Sequence, residues 1–310
     1  MFFKHNKVAQ EFALQLESGA GTIEGRSLWQ DAQRRFFRNK AAVVSLFIIG
    51  LVILFSIIGS QFAQYSYEEI DWIALSDPVE LGRPSIETGH YFGTDKLGRD
   101  LYARTVQGSQ ISLMVGILSS VVAIVIGTLY GAVSGFIGGR VDMIMMRIVE
   151  ILSALPFMFL VIMLMVMFGR QIILIFIAIG AVSWLDMARI VRGQTLSIKN
   201  KEYIEAAHAC GVSQWRIVMR HVIPNVIGIV LVYASLMIPG MIMFESFISF
   251  LGLGVQEPET SWGALISEGV VTMEFAVWQL AFPLAFLVIT LFCFNFVGDG
   301  LRDALDPKER

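Results

Sequence analysis

The segment Glu205–Pro224 reads EAAHACGVSQWRIVMRHVIP and separates two long apolar runs. The alanines and glutamates before Gly211 are good helix formers, and they predict a short helix. Gly211 can adopt a positive φ angle at little cost and is predicted to end that helix. Ser213 can cap a second helix. Pro224 suits the first turn of the next apolar helix, where no backbone N–H is needed. The segment therefore predicts a helix–turn–helix that projects between two membrane spans.

The composition indicates a membrane protein. The chain has 310 residues, of which 55% are hydrophobic and 16% charged, and its mean hydropathy is +0.68. Soluble domains carry about 25% charged residues. The net charge of −3 gives no reason to expect a nucleic-acid partner. The two cysteines, Cys210 and Cys293, lie in different environments, so neither a disulfide nor a metal site is expected.

Six apolar runs are long enough to cross a bilayer, which needs about 20 residues in a helix. The sequence therefore predicts an all-α membrane protein with six transmembrane helices. The predicted spans lie near residues 41–58, 111–133, 148–168, 172–190, 226–250 and 277–297.

The basic residues predict the orientation of these spans, because Lys and Arg concentrate in cytoplasmic segments. Both termini and the Glu205 segment are predicted to be cytoplasmic. In that arrangement few of the 23 basic residues lie outside, namely Arg83, Lys96, Arg99, Arg104 and Arg170.

An amphipathic helix is predicted near residues 27–38, within a cytoplasmic leader of residues 1–40. Leu28, Ala32 and Phe36 recur at helical spacing, and basic residues lie between them. Such a helix is expected to lie on the inner leaflet. The other predicted regions are a permease domain over 41–298, which contains a periplasmic loop at 59–110 and a cytoplasmic loop at 193–224, and a tail over 299–310.

The Glu205 segment resembles the coupling loop of ABC-importer permeases, which contacts an ATPase subunit. The matching residues are Glu205, Ala206, Ala207, Gly211 and Pro224. Two positions depart from the pattern, since His221 stands where the family has Ile and Ile223 where it has Leu. The resemblance implies that these residues transmit force from the ATPase.

A second segment, HYFGTDKLGRDL at residues 90–101, resembles the stretch before the second span of dipeptide and oligopeptide permeases. Asp100 and Arg104 are four residues apart, and we expect an exposed pair worth under about 1 kcal/mol. Two interpretations of the segment stay open: a clasp on the protein surface, or a contact with a substrate-delivery protein.

The resemblance extends over residues 27–307 and is closest to the C-type subunits of oligopeptide permeases. It implies a type I ABC importer permease fold in the bacterial inner membrane. The implied partners are a second, homologous permease, two ATP-binding subunits, a periplasmic peptide-binding protein, the peptide substrate and membrane lipid. Related permeases carry dipeptides, nickel or antimicrobial peptides, and these cargoes stay open as alternatives.

Glu245 is an acidic residue within a predicted span, where ionisable groups are costly. We expect it either to border the translocation path or to form hydrogen bonds with a neighbouring helix, and the second interpretation is favoured. Two other pairs at the span edges, Arg147 with Glu150 and Asp186 with Arg189, are spaced for contacts along a helix face.

The sequence contains no phosphate-binding loop and no His-Glu-x-x-His pattern, so no catalytic, cofactor or metal site is expected. None of the four histidines lies well inside a predicted span, which disfavours an intramembrane hydrolase. An ion-driven secondary transporter remains the alternative of a different class. That class shows internal repeats and broken helices, and only Pro239-Gly240 suggests a break here.

Overall fold

A computed structural model describes residues 28–169 and 172–305, and this part of the chain is mostly helical. Extended pairing there is limited to two isolated bridges, Ile70 with Arg99 and Thr94 with Asp100. The α-helices are α1 (Leu28–Arg38), α2 (Lys40–Ile58), α3 (Trp72–Ser76), α4 (Leu101–Ile137), α5 (Gly139–Ser153), α6 (Phe157–Phe168), α7 (Ile172–Ile198), α8 (Glu202–Ala209), α9 (Gln214–Ile217), α10 (Ile223–Phe250), α11 (Trp262–Thr272) and α12 (Val277–Leu305).

The centre of the molecule is the pairing of α4 with α7. A stripe of glycines on α4, at positions 127, 131 and 135, faces α7. A Cβ atom added to Gly127 would lie 2.7 Å from the carbonyl oxygen of Trp184, so the two backbones approach too closely for a side chain. Small residues allow this close packing between membrane helices. Ser134 lies between two of these glycines and is fully buried.

Helices α2 and α12 form a second layer, and α1 lies across their ends. Ala32 and Phe36 of α1 are buried in a cluster that includes Ala304 and Leu301 of α12. The predicted helix near 27–38 is thus present from Leu28, while Ser27 lies outside the described residues. Part of the apolar face of α1 packs on the protein, and its placement on lipid stays a prediction.

Four helical segments among the described residues are long and apolar enough to cross a membrane. They are Lys40–Phe62, Leu101–Ile137, Gln214–Phe250 and Val277–Leu305. A fifth would be the pair α5 and α6, which bends by 78° between them. The chain therefore has several candidate spans, and the count of six stays a prediction.

The helices differ from the predicted spans mainly at their ends. The span predicted at 148–168 is interrupted before Phe157, because Pro156 lacks the N–H that a continuous helix requires. Helix α4 begins ten residues before its predicted span, since its first turns pack against protein. Helix α12 continues to Leu305.

The two ends of the bundle are built from different segments. At one end, Tyr102 of α4 donates a hydrogen bond to the carbonyl of Gly59, and residues 63–100 cover the helices. At the opposite end, Phe136 of α4 lies beside His208, and α1, α8 and the end of α12 are found there. The Glu205 segment and α1 thus occupy the same end.

Candidate functional site

The knob, defined here as residues 199–222, contains α8, a tight turn and α9. Gly211 has a φ angle of +77°, as the sequence predicted. Its N–H bonds to the carbonyl of His208 at 2.9 Å, and the N–H of Val212 bonds to the carbonyl of Ala207 at 3.1 Å. These two bonds form a Schellman motif, which satisfies the last carbonyls of α8 and reverses the chain.

Apolar side chains anchor the knob to the bundle. Ile204 of α8 and Ile217 of α9 are both fully buried. They belong to one cluster with Val191 of α7 and Phe136 of α4. A sideways displacement of α8 must therefore move α4 and α7, because closely packed side chains do not yield independently.

The opposite face of the knob is exposed. Glu205 and Ala206 lie on this face, and Ala207 is half-buried beneath them. Large apolar side chains continue the surface, and Tyr203 and Trp215 are 44% and 59% exposed. An exposed surface of small residues beside exposed aromatic side chains is suited to binding in the groove of another protein.

Pro224 lies in the first turn of α10, as the sequence predicted, but no break separates α10 from the preceding turns. One helix runs from Gln214 to Phe250, and a wide π turn at Val218–Val222 precedes the proline. The N–H of Ile223 bonds to the carbonyl of Val218, five residues back. The side-chain amide of Asn225 donates to the carbonyl of His221 at 2.6 Å. The missing N–H of the proline is thus accommodated inside a continuous helix by the wide turn.

Ion pairs fix the helices next to the knob. Arg192 of α7 holds Asp142 of α5 through two hydrogen bonds of 2.6 and 2.5 Å. Ser134 of α4 donates to the same carboxylate at 2.6 Å. The two pairs predicted along helix faces are also present, Arg147 with Glu150 at 3.0 Å and Asp186 with Arg189 at 2.7 Å.

Glu245 is fully buried between α10 and α4. Its carboxylate accepts hydrogen bonds from Ser112 at 2.8 Å and Ser249 at 2.7 Å. Ser112 also accepts a bond from the backbone N–H of Trp262. This arrangement agrees with the favoured expectation of hydrogen bonding to a neighbouring helix, and a role in the translocation path stays a prediction.

At the other end, the clasp, defined here as residues 63–100, is held by buried charges. Asp95 accepts a hydrogen bond from Arg99 at 2.7 Å and also bonds Arg104 of α4. Arg104 bonds Glu268 of α11 at 2.8 Å, and Arg99 bonds Glu257 at 3.1 Å. The network thus joins the clasp to α4 and to segments more than 150 residues away.

The expectation of an exposed Asp100–Arg104 pair was wrong. Both side chains are 1% exposed, and they have different partners. Asp100 caps α4 by accepting a bond from the N–H of Ala103 at 2.8 Å. Arg104 points to Asp95 and Glu268. The i,i+4 spacing suggested a helix pair, but Asp100 precedes the helix as its N-cap.

His90 joins the two acidic helix caps of the clasp. Its Nδ1 lies 2.9 Å from Asp100, and its Nε2 lies 3.2 Å from Asp71, the N-cap of α3. Burial opposes protonation, but hydrogen bonds and charges from Asp100 and Asp71 outweigh it and raise the pKa of His90. For Asp71, burial is outweighed by bonds from His90, Ala74 and Ile73, which lower the pKa of its carboxyl group.

The described residues thus form a helical bundle with an exposed knob at one end and a charged clasp at the other. Among the residues that the structure describes, no group of three His, Cys, Asp or Glu side chains could hold a metal ion. The family model for the binding-protein-dependent transport system inner membrane component matches residues 123–310. The chain belongs to this family of permeases. A second model, for the N-terminal transmembrane domain of oligopeptide transport permease C, matches residues 27–78.

Curated members of the permease family align with almost the whole chain. The oligopeptide transport system permease protein OppC of Haemophilus influenzae is 60% identical over 93% of this chain and 91% of its own length. OppC of Escherichia coli K12 is 58% identical over 99% of this chain and 98% of its own length. The dipeptide transport system permease protein DppC of Bacillus subtilis is 42% identical over 99% and 96%.

Sequence reasoning missed part of what holds this permease together. His90 and Asp95 appeared in the sequence only as members of a motif, and Arg104 only as the expected partner of Asp100. Their buried contacts were not anticipated. The signal was the alternation of acidic and basic residues in a segment that also contains glycines at 89, 93 and 98, but burial depends on distant partners such as Glu268.

Proposed function

We propose that this permease is a transmembrane subunit of an ATP-driven importer of oligopeptides and forms half of its translocation pathway. The observation that carries the proposal is the 58% identity to an oligopeptide permease over 98% of that protein's length. The chain is a transport subunit and no enzyme, and ATP hydrolysis belongs to separate subunits.

The proposed topology has six spans, cytoplasmic termini and a location in the bacterial inner membrane. The knob and α1 lie at the same end of the bundle, which supports placing both on one side. Among the residues that the structure describes, most of the Lys and Arg residues lie in segments at that end, as they do in cytoplasmic segments. In this arrangement the leader covers 1–40, the permease domain 41–298 and the tail 299–310.

The proposed partners are a second permease of similar fold, two ATP-binding subunits and a periplasmic peptide-binding protein. The knob would contact an ATP-binding subunit through Glu205 and Ala206, with Ala207 beneath them, while Gly211 and Pro224 set its shape. The exposed face and the buried anchor of the knob support this role. ATP-driven movement of the subunit would then reach α4 and α7 through the buried side chains.

Dipeptide import is the second candidate, and the 42% identity to a dipeptide permease favours it over nickel or antimicrobial peptides. Uptake of peptides of two to five residues by vesicles containing this chain and its partners would separate the two candidates. A preference for the longer peptides supports the oligopeptide assignment, whereas uptake of dipeptides alone would replace it.

The coupling role of the knob is tested by Gly211→Val. A β-branched residue at a φ angle of +77° costs on the order of 1–2 kcal/mol, although the added atoms meet open space. The turn should distort, and transport should separate from ATP hydrolysis. Gly193→Ala is the matched control, because Gly193 lies inside α7 and also faces open space.

The measurements are peptide uptake and ATPase stimulation in proteoliposomes that contain all subunits. We expect Gly211→Val to reduce the amount of peptide taken up per ATP hydrolysed, while Gly193→Ala behaves as the wild type. Normal uptake and normal stimulation in Gly211→Val would contradict the coupling role. Uptake without any ATP-binding subunit would instead indicate the ion-driven alternative.

A further inference from the structure

The arrangement around His90 constrains its protonation state. Both ring nitrogens lie within hydrogen-bond distance of a carboxylate, Asp100 at 2.9 Å and Asp71 at 3.2 Å. An ionised carboxylate only accepts hydrogen bonds, and a neutral imidazole has a single N–H. One nitrogen of a neutral ring would therefore direct its lone pair at a carboxylate oxygen. Both contacts can be favourable together only when the ring carries two protons.

Each carboxylate divides its oxygens between a helix and His90. Asp100 accepts from the N–H of Ala103 with one oxygen and faces His90 with the other. Asp71 accepts from the N–H of Ile73 at 2.7 Å with one oxygen and faces His90 with the other. His90 thus joins the start of α3 to the start of α4.

The remaining neighbour of the ring is aromatic. Tyr65 stacks on His90 with ring centroids 4.4 Å apart, and its hydroxyl donates to the carbonyl of Thr88. The charged groups that face His90 are therefore Asp71, which precedes α3, and Asp100, which precedes α4. A cation stacked on an aromatic ring between two carboxylates is stabilised from three sides.

We propose that His90 is a positioning residue held as an imidazolium cation, and that loss of its second proton releases α3 from the rest of the clasp. The release occurs at Asp71. That side chain is 23% exposed, so water can hydrate its carboxylate after the contact is lost. Asp100 is 1% exposed and keeps the remaining N–H of the ring, because an unpaired buried carboxylate would be more costly.

Loss of the proton of His90 would affect the exposed apolar surface that α3 contributes to the clasp. Trp72 and Ile73 on α3 are 73% and 72% exposed, and Asp71 caps this helix by accepting bonds from the N–H groups of Ile73 and Ala74. Deprotonation of His90 would therefore loosen an already exposed apolar surface at the end of the molecule opposite the knob. This inference stands on the contacts of the clasp and does not depend on the proposed transport function.

The protonation state is tested by nitrogen NMR of the full-length chain in lipid nanodiscs, labelled at its four histidines. We expect His90 to keep both protons above the range in which ordinary histidines titrate, near pH 6.5. Asp71→Asn should lower its titration midpoint by about one pH unit, a tenfold change, since one of the two charges is removed. A neutral His90 at pH 7 in the wild type would overturn the proposal.

The release is tested by hydrogen exchange of residues 72–76 between pH 6 and 9, corrected with an unstructured reference peptide. Between about pH 6.5, where an ordinary histidine titrates, and the higher midpoint of His90, exchange in the wild type should rise about tenfold per pH unit because release is linked to one proton, and it should level off above that midpoint. Residues 101–105 should stay protected. Asp71→Asn should show no rise, since its amide oxygen can still cap α3 while its NH2 group donates to the unprotonated nitrogen of the neutral ring.

Two further variants complete the experiment. His90→Gln should leave residues 72–76 weakly protected at every pH, and Glu87→Gln, an exposed acid of the clasp, should behave as the wild type. The proposal fails if the wild type shows no pH dependence, if Asp71→Asn keeps the wild-type dependence, or if residues 101–105 lose protection together with α3.

Discussion

The knob and the clasp lie at opposite ends of the same helices and are held in opposite ways. The knob is anchored by apolar side chains, with Ile204 and Ile217 fully buried, and presents an exposed face. The clasp is anchored by charges, with Arg104 buried between Asp95 and Glu268. The packed apolar anchor passes a displacement of the knob on to α4 and α7, whereas buried ion pairs hold the clasp in one geometry. The difference indicates a movable end and a rigid end.

The largest expected effect comes from breaking the rigid end. Arg104→Met would leave Asp95 and Glu268 without their shared cation, and removal of one partner from a buried ion pair costs about 3–5 kcal/mol. We expect a clear fall in the midpoint of thermal unfolding in nanodiscs.

The matched control for Arg104→Met is Arg83→Met. Arg83 pairs with Glu80 at 3.1 Å, and both side chains are more than half exposed. Its loss should cost less than about 1 kcal/mol. Equal midpoints for the two variants would show that the clasp is not held by its buried charges.

A smaller effect is expected from removing the anchor of the knob. Ile204→Ala leaves a cavity beneath α8 and should cost about 2–4 kcal/mol. The loss should be local, with faster hydrogen exchange over residues 202–209 and weaker stimulation of the ATP-binding subunits. If exchange rose equally in the clasp, the two ends would not be independent.

The exposed face of the knob should respond differently from its anchor. Tyr203→Ala removes an aromatic side chain that is 44% exposed. The free energy of unfolding should therefore change by less than about 0.5 kcal/mol. Binding of an ATP-binding subunit should weaken about tenfold, the loss of about 1.4 kcal/mol from one aromatic contact. Titration of that subunit against nanodiscs that contain the permease measures the effect. An unchanged affinity would argue against the exposed face of the knob as the contact with the ATP-binding subunit.

The smallest effect is expected at low pH, where the carboxyl group of Asp71 becomes protonated. The pKa of Asp71 is lowered in the folded protein, so its contribution to stability is present above the ordinary value of about 3.9 and is lost as the pH falls through the folded value. Protection of residues 72–76 should decrease below about pH 4 in the wild type. Asp71→Asn should lack this decrease, and a decrease of equal size in that variant would assign it to another group.

Local features of both ends could be predicted from sequence, and distant contacts could not. The turn at Gly211 follows from a single residue type after good helix formers, and the structure has it. The burial of Arg104 depends on Glu268, which is 164 residues away. The serines around Glu245 come partly from α4, 133 residues away. The spacing of residues along one helix contains no information about such partners.

The ends of the spans also depend on packing against distant residues, which the sequence of a span does not reveal. An apolar run predicts the part of a helix that lipid can surround, but α4 continues for ten residues beyond it because protein surrounds those turns. Helix α2 matches its predicted span closely, since most of its length is apolar on every side. The break at Pro156 could have been predicted from the proline alone.

The π turn at Val218–Val222 sets the rotational phase between the knob and α10. Such a turn contains one residue more than the regular repeat, so side chains on its two sides are rotated by roughly 100° relative to an unbroken helix. Trp215 therefore faces a different direction, relative to the faces of α10, from the one that an unbroken helix would give it. The partner of the knob and the surroundings of the span can each impose their own pattern on one continuous helix.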